Sequence, residues 1–518
     1  MNNKVISGSL ASLMFFFMLF SGGQQANAQG MHVTASNLAL GGGGSAYMTG
    51  YHANFVNPAN LMLPDNNRRL TIGILGGLST GAGGGLVNIS MYNRHFTNGD
   101  LITATDAMSI ADDWFGSGSD AMQNIGFSVG VVPLGASYRR EDLNMAFSSA
   151  VRVRAMNTSG MSRGFFELAL TGLNSQVFAE QRSVSLNTEF LTFAEWSFGF
   201  AMEVWRNQDE FTPGSQRVYA GAAPKILFGM DYAKISFASG LQVIGGDDPM
   251  VLHDFDYYIE TTGSLTEELD DYYQDRRVLG DDDAQLGEYL NDDSFFSGGS
   301  FHGYGFALDL GGTWEWYMRD VSIPVIGSGP QILRASLSIT DVGGINFRDN
   351  AGRFRAEDTF LWEGASVNFD LIDAEYDGKL SNYFEYVLED SIGNDIYANF
   401  SPDDVSSHRV GLTPMINVGG ALTMGRLDVM MDIGKGMNSR GVNSNRLYTA
   451  LGTEYRLLNV IPLRMGMRLG GYSAMNLSFG TGINLPGFEF SVGMMTTPNS
   501  NRGGANIAAA WSGFVMRF

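Results

Sequence analysis

Gly126-Phe127-Ser128-Val129-Gly130 matches the Gly-x-Ser-x-Gly pattern that presents a nucleophilic serine in hydrolases. That chemistry needs a strand–turn–helix junction to strain and expose the serine. Here Phe127, Val129 and Val131 alternate straight through the motif, so an ordinary strand with a one-sided Ser128 is expected, and no catalytic residue is assigned. The six histidines, at 32, 52, 95, 253, 302 and 408, have no metal-ligand spacing. His253 beside Asp254 and Asp256 is the cluster that an enzymatic rim site would use. There is no P-loop and no cysteine, which excludes thiolate metal sites, Fe–S clusters and a cysteine nucleophile. Neither a cofactor nor a metal is expected.

A second set of charges points to binding or gating. Glu454 and Arg456 lie in one alternating stretch, Arg464 and Arg468 in the next, and Arg426, Asp428 and Asp432 in the one before. Short connections between antiparallel strands would bring these charges together. They would then line a polar path, hold an internal segment by salt bridges, or form a ladder that fills a closed lumen.

The elements that must position these residues are strands. In 463–470 the residues Leu463, Met465, Met467 and Leu469 alternate with Arg464, Gly466, Arg468 and Gly470. The same period of two runs through 475–483, 488–494, 451–457, 427–432, 333–339 and 304–309. One class is apolar and the other is charged, small or glycine. Transmembrane barrel strands are segments of roughly ten residues with this alternation. A soluble sandwich also alternates, but its strands usually run about 5–6 residues and its inner face is apolar. Two stretches, 106–121 and 162–173, have helical apolar spacing instead and read as packing helices.

Composition agrees. The chain has 518 residues, 67 of them glycine, against a usual glycine share of about 7%. Mean hydropathy is −0.04, and 12% of residues are aromatic, which suits interfacial girdles such as Trp314, Trp316 and Tyr317. Residues 1–28 read as a signal peptide, with Lys4, an apolar stretch over 10–20 and Ala26-Asn27-Ala28 as the cleavage site. Beyond it no apolar stretch is long enough for a spanning helix. At the other end, Ala508, Ala510, Phe514, Met516 and Phe518 share one face, and the terminal Phe resembles an insertion signal for the barrel-assembly machinery.

The net charge of −22 argues against nucleic acid as a partner. It is concentrated in two insertions, 247–293 at −14 and 357–404 at −12, so the rest of the chain is net positive. Both are expected to be long outer loops, with short turns at the opposite end. Asp281-Asp282-Asp283 and Asp292-Asp293 are a candidate surface for Ca²⁺ or Mg²⁺, against the plainer reading of solvated loops, and they lack EF-hand spacing.

Ahead of the first clear strand, 29–67 contains Gly41-Gly42-Gly43-Gly44 and then Asn57-Pro58-Ala59. This segment resembles the opening of the long-chain fatty-acid transporter (FadL-like) superfamily of outer-membrane barrels. The stretches Ala335-Ser336-Leu337-Ser338-Ile339-Thr340-Asp341-Val342-Gly343-Gly344-Ile345, Gly452-Thr453-Glu454-Tyr455-Arg456 and Ile461-Pro462-Leu463-Arg464-Met465-Gly466 bring the resemblance nearer to a Bacteroidota branch. That branch includes secretion-shuttle and attachment-complex barrels and a family of unknown function. The resemblance implies an all-β fold: a transmembrane antiparallel barrel of about 14 strands over 68–518, with a luminal hatch at 29–67, in the outer membrane of a Gram-negative bacterium. It carries over no residue set for ligand binding.

Two functions follow. One is passive uptake of a hydrophobic or amphipathic small molecule, with an apolar pocket beneath the mouth walled by the hatch and a helix. The other is a plugged barrel that serves as scaffold or shuttle in a surface-protein secretion or outer-membrane assembly complex. An enzyme stands behind both. The partners expected are outer-membrane lipid, the barrel-assembly machinery, and a hydrophobic ligand or secretion-complex proteins.

Overall fold

The computed structural model describes residues 34–65, 68–86, 89–97, 103–116, 121–173, 176–245, 250–281, 284, 289, 300–362, 401–402, 405–438, 445–471, 475–498 and 505–518. The expected signal peptide, Asp282, Asp283, Asp292, Asp293 and most of 357–404 lie outside these residues.

The strands are β1 (Leu70–Gly84), β2 (Met122–Arg140), β3 (Met145–Ser162), β4 (Arg182–Arg206), β5 (Gln216–Ile244) and β6 (Met250–Thr262). They continue as β7 (Gly303–Ile323), β8 (Gly327–Phe347), β9 (Ala351–Trp362), β10 (Ser401–Pro402), β11 (His408–Gly411) and β12 (Met415–Met424). The last six are β13 (Leu427–Gly436), β14 (Tyr448–Leu457), β15 (Ile461–Gly470), β16 (Met475–Leu485), β17 (Phe488–Thr496) and β18 (Ala505–Arg517). Every pairing is antiparallel. From β1 the ladder runs through β2, β3, β4, β5, β7 and β8, then β12 to β18, and β18 pairs back with β1. This is a closed barrel of 14 strands. Closure leaves none of these strands with an open edge, as a backbone in lipid requires.

The alternation read from sequence becomes inside and outside. On β15, Leu463, Met465 and Leu469 are exposed while Arg464 and Arg468 are buried. The Gly-x-Ser-x-Gly stretch lies within β2 and has no helix after it. The barrel is lopsided: β13 to β17 have 9 to 11 residues, whereas β4 has 25 and β5 has 29. At about 3.3 Å per residue, β5 extends some 95 Å, roughly three times the hydrocarbon thickness.

The insertions expected to be loops carry regular structure. From Ala233 onward β5 keeps β4 as its partner on one side as far as Leu241 but exchanges β7 for β6 on the other; β6 pairs with β9, and β9 with β10. Helix α5 (Ser264–Tyr273) packs Leu265 and Leu269 against this side sheet. The apolar members of β6 and β9 at alternate positions, Phe255, Ile259, Phe354 and Ala356, give the extra layer its own core. The acidic residues between them obscure that alternation in the sequence.

The helical readings correspond to α3 (Ala104–Phe115) and α4 (Arg163–Thr171), which follow a short α2 (Ile89–His95). Trp114 and Phe115 pack on Phe166 with ring centroids 5.4 and 5.3 Å apart. They sit on the end of the barrel that carries the long connections.

Two bulges change which way side chains point. On β18, Ile507 and Phe514 are exposed, whereas Ala508, Ala510, Ser512 and Gly513 are buried. The shared face read from sequence therefore breaks at Gly513, where the pairing with β17 slips. Phe514, Met516 and Phe518 lie on the outer side, but Ala508 and Ala510 do not. On β8, Asp341 has a positive φ of 57°, and the register with β7 shifts beside it. The bulge leaves Thr340 and Asp341 both buried while Val342 faces out.

Candidate functional site

Residues 34–65 lie inside the barrel. Helix α1 (Ala35–Ala39) is capped by Thr34 and packs on β15 to β18, and 3₁₀ turns at Gly50–Phe55 and Pro58–Met62 pack on β2 to β5 and β7. Wall and segment meet through glycine. A methyl group on Gly73 or Gly135 would collide with the Tyr51 ring, on Gly199 with the Asn54 amide, on Gly311 with the Asn57 amide, and on Gly221 with the Pro58–Ala59 backbone. Across the lumen the same holds for Gly419 against Ser45, Gly466 against Gly41, Gly480 against Ala39 and Gly493 against Ala35. Glycine on the inward side of these strands lets a second backbone approach closely, and this is where much of the glycine excess is used.

Asn57-Pro58-Ala59 is the centre of that contact. Asn57 caps the following 3₁₀ turn by accepting from Ala59 N at 3.1 Å, and Pro58 is its first residue. The other end of the same amide donates to Ser45 O at 2.6 Å and to Thr313 Oγ1 of β7 at 2.9 Å. One side chain thus joins the glycine loop, the turn and the wall.

The seven charges picked out by alternation separate into distinct arrangements. Asp432 accepts the backbone N–H groups of Gly44 and Ser45, at 3.1 and 3.0 Å, and the Ser45 hydroxyl. It faces the internal segment. Arg464 bonds Glu454 at 2.7 Å and Ser491 at 2.9 Å, and Arg456 pairs with Asp428 at 3.0 Å, so these four ladder along the wall. Arg468 is 1% exposed and lies 3.6 Å over the Tyr448 ring. Arg426 sits at the short β12–β13 turn, with its side chain beside Gly327 of β8. At the short-turn end Arg517 bridges Glu489 and Asp65, with 2.6 Å to Asp65, and so ties the last strand to the end of the segment.

A second charged set was not assembled from sequence. Lys225 of β5 lies 2.7 Å from both Asp309 of β7 and Asp341 of β8, and 3.5 Å from Glu195 of β4. Arg152 pairs with Glu195, and Arg154 with Asp341 at 2.8 Å. Asp341 N donates to Asp309 at 2.7 Å. These six side chains form a charged layer across one half of the lumen, with Phe55 of the internal segment directly beneath, 4.3 Å from the Arg152 guanidinium. The signals were there: a lysine between Ala222-Ala223-Pro224 and the apolar run Ile226-Leu227-Phe228, and Asp309 already on the inward parity. Asp341 is turned inward by the bulge, which strict alternation does not foresee.

Towards the long-connection end the lumen turns apolar. Met156, Leu191, Phe193, Leu227, Tyr232, Ile345, Phe347 and Val410 form one buried cluster, continuing the inward faces of β3, β4, β5, β8 and β11 beyond the charges. Tyr232 stacks on Phe347 at 5.7 Å and donates to Glu260 at 3.2 Å. This apolar layer is walled by strands. The charged set separates it from the internal segment, and α3 and α4 pack elsewhere, so this layer lacks the walls expected of a pocket between hatch and helix. Outside, at the same level, the wall has a groove of about 530 Å³ lined by Tyr304, Gly305, Phe306, Gly343, Gly344, Ile345, Asn346, Arg409 and Gly411. It lies where β8 exchanges β12 for β11 as partner. Ile345 belongs to both the groove and the apolar layer.

The His253 cluster is divided by strand parity. His253 turns inward to Ser239, at 3.1 Å, while Asp254 and Asp256 are on the opposite face, bonded to Thr359 and Arg355. Among the described residues no group of His, Asp and Glu has a metal-binding arrangement.

Solved structures of similar fold include the Pseudomonas putida toluene transporter TodX, at 12% identity over 95% of this chain and 99% of that one, with a TM-score of 0.44. The Ralstonia pickettii toluene transporter TbuX, at 11%, and a Pseudomonas aeruginosa FadL homologue, at 10%, cover the same shares, each with a TM-score of 0.41. No curated protein matches. A family model spans residues 58–494, from the Asn57-Pro58-Ala59 contact to β17, and the chain belongs to that family, described as "Family of unknown function (DUF5723)".

Proposed function

We propose that this chain is an outer-membrane barrel that lets a hydrophobic or amphipathic small molecule pass without energy input, with the N-terminal segment as its hatch. The observation that carries the reading is the double position of Ile345, which floors the outer groove and lines the apolar layer. Gly305, Gly343, Gly344 and Gly411 put no side chain between the two, so the wall is thinnest there. Below the apolar layer, the charged set and the glycine-seated segment fill the lumen. A molecule held in the apolar layer then has its shortest apolar way out sideways, into lipid, and not down the axis.

A photoreactive decyl diazirine tests this on the purified protein in nanodiscs. Labelling mapped by peptide mass spectrometry is expected at Met156, Phe193 and Ile345. Labelling confined to the lipid-facing belt, such as Leu463 and Met465, would overturn the reading.

A further inference from the structure

The charge layer beneath the apolar site is already closed on itself. It holds three cations, Arg152, Arg154 and Lys225, and three carboxylates, Glu195, Asp309 and Asp341. Each cation has a carboxylate at bonding distance, and Lys225, 1% exposed, has two at 2.7 Å. Desolvated charges are tolerated when each is paired, and an added unpaired charge is strongly disfavoured. A ligand that lies in the apolar layer rests its lower end on this floor. A carboxylate end would bring a fourth negative charge to three positive ones, each of which already has a carboxylate partner.

We infer that the site selects uncharged molecules, long-chain alcohols or hydrocarbons, and rejects the corresponding fatty-acid anions, because the paired floor of Arg152, Arg154, Lys225, Glu195, Asp309 and Asp341 offers no net positive charge. This rests on the reading of the apolar layer as the ligand site, and it names the ligand class of that site. The selectivity is electrostatic and can be inverted. Removing one carboxylate leaves a net positive charge of one in the layer, and a ligand carboxylate then takes the place of the missing partner. Asp309→Asn keeps the shape and an acceptor for Asp341 N, while Glu195→Gln does the same on the Arg152 side.

The experiment is competition against the decyl diazirine label, in nanodiscs at pH 8, with decanol and with decanoate. In the native protein decanol is expected to displace the label from Met156 and Phe193, and decanoate to need a higher concentration. Comparing variant with native cancels the difference in membrane partition of the two competitors. In Asp309→Asn, or in Glu195→Gln where the first does not give the heat-modifiable band of a folded barrel, the decanoate-to-decanol ratio is expected to move about tenfold or more towards decanoate. A ratio unchanged in a folded variant, or decanoate competing as well as decanol in the native protein, would overturn the selectivity and leave the ligand site standing. Absence of label from the apolar layer would overturn the site itself, and the selectivity with it.

Discussion

Lys225 Nζ lies 2.7 Å from the Asp309 carboxylate, and both side chains are fully buried within the barrel. The pair joins β5 to β7 at the point where the lumen changes from polar to apolar. Lys225→Met would leave Asp309 and Asp341 without their shared cation. Breaking a buried pair by deleting one partner costs about 3–5 kcal/mol. The heat-modified band of the variant is expected to appear at a lower temperature than that of the native barrel, and Lys225→Met with Asp309→Asn is expected to recover part of the loss.

Glycine contacts make a second expectation specific. Gly311→Val would drive a side chain into the Asn57 amide, and Gly221→Val into the Pro58–Ala59 backbone. Neither glycine has a positive φ, so the substituted strands keep their conformation. The barrel should still form while 34–65 loses its seat. Chymotrypsin is expected to cut at Tyr51 and Phe55 in these variants and not in the native protein, where both are buried. Full protection in both variants would show that the segment does not depend on the glycine surface.

Asp432 and Arg464 should behave differently. Asp432 holds the Gly44–Ser45 backbone, whereas the bonds of Arg464 go to Glu454 and Ser491 of the wall. Asp432→Ala is expected to raise planar-bilayer conductance. Arg464→Ala is expected to lower thermal stability with currents unchanged. A larger current from Arg464→Ala would make it part of the gate.

Much of the fold was legible because a barrel wall writes a period of two into its sequence, and Arg464, Gly466 and Arg468 against Leu463, Met465 and Leu469 is that period uninterrupted. Asn57-Pro58-Ala59 was legible as a motif, but its partner Thr313 was not, since the contact joins residues far apart in sequence. Bulges hid the rest. Asp341 takes a left-handed backbone and faces in where parity points it out, and Gly513 reverses the face of β18. The side sheet of β6 and β9 was missed because its acidic outer positions read as loop.

Acid should loosen the internal segment through one imidazole. Burial, with smaller opposing influences from Glu489 and a bond to Gly76 O, lowers the His52 pKa from 6.5 to about 4. A released segment takes up a proton below about pH 6.5, while the seated one stays neutral until about pH 4. Seating therefore holds its full strength above pH 6.5 and weakens as pH falls towards 4, by roughly 3 kcal/mol in all. Chymotrypsin cleavage of the segment followed from pH 7 to pH 4 should rise in the native protein, and His52→Gln should flatten that rise. Parallel curves would assign the acid response to other groups.

The passage of hydrophobic molecules through the wall is tested most directly by filling the groove. A Cβ on Gly411, an exposed position of β11 that lines the groove, would meet nothing within 4 Å, so Gly411→Trp is the substitution that fills the groove beside Ile345 from its open side. Uptake of radiolabelled decanol is measured in cells whose outer membrane otherwise excludes it, producing either protein at equal barrel levels. Faster uptake with the native chain, lost in Gly411→Trp, is the predicted result. Equal uptake by native and groove-filled protein would contradict it.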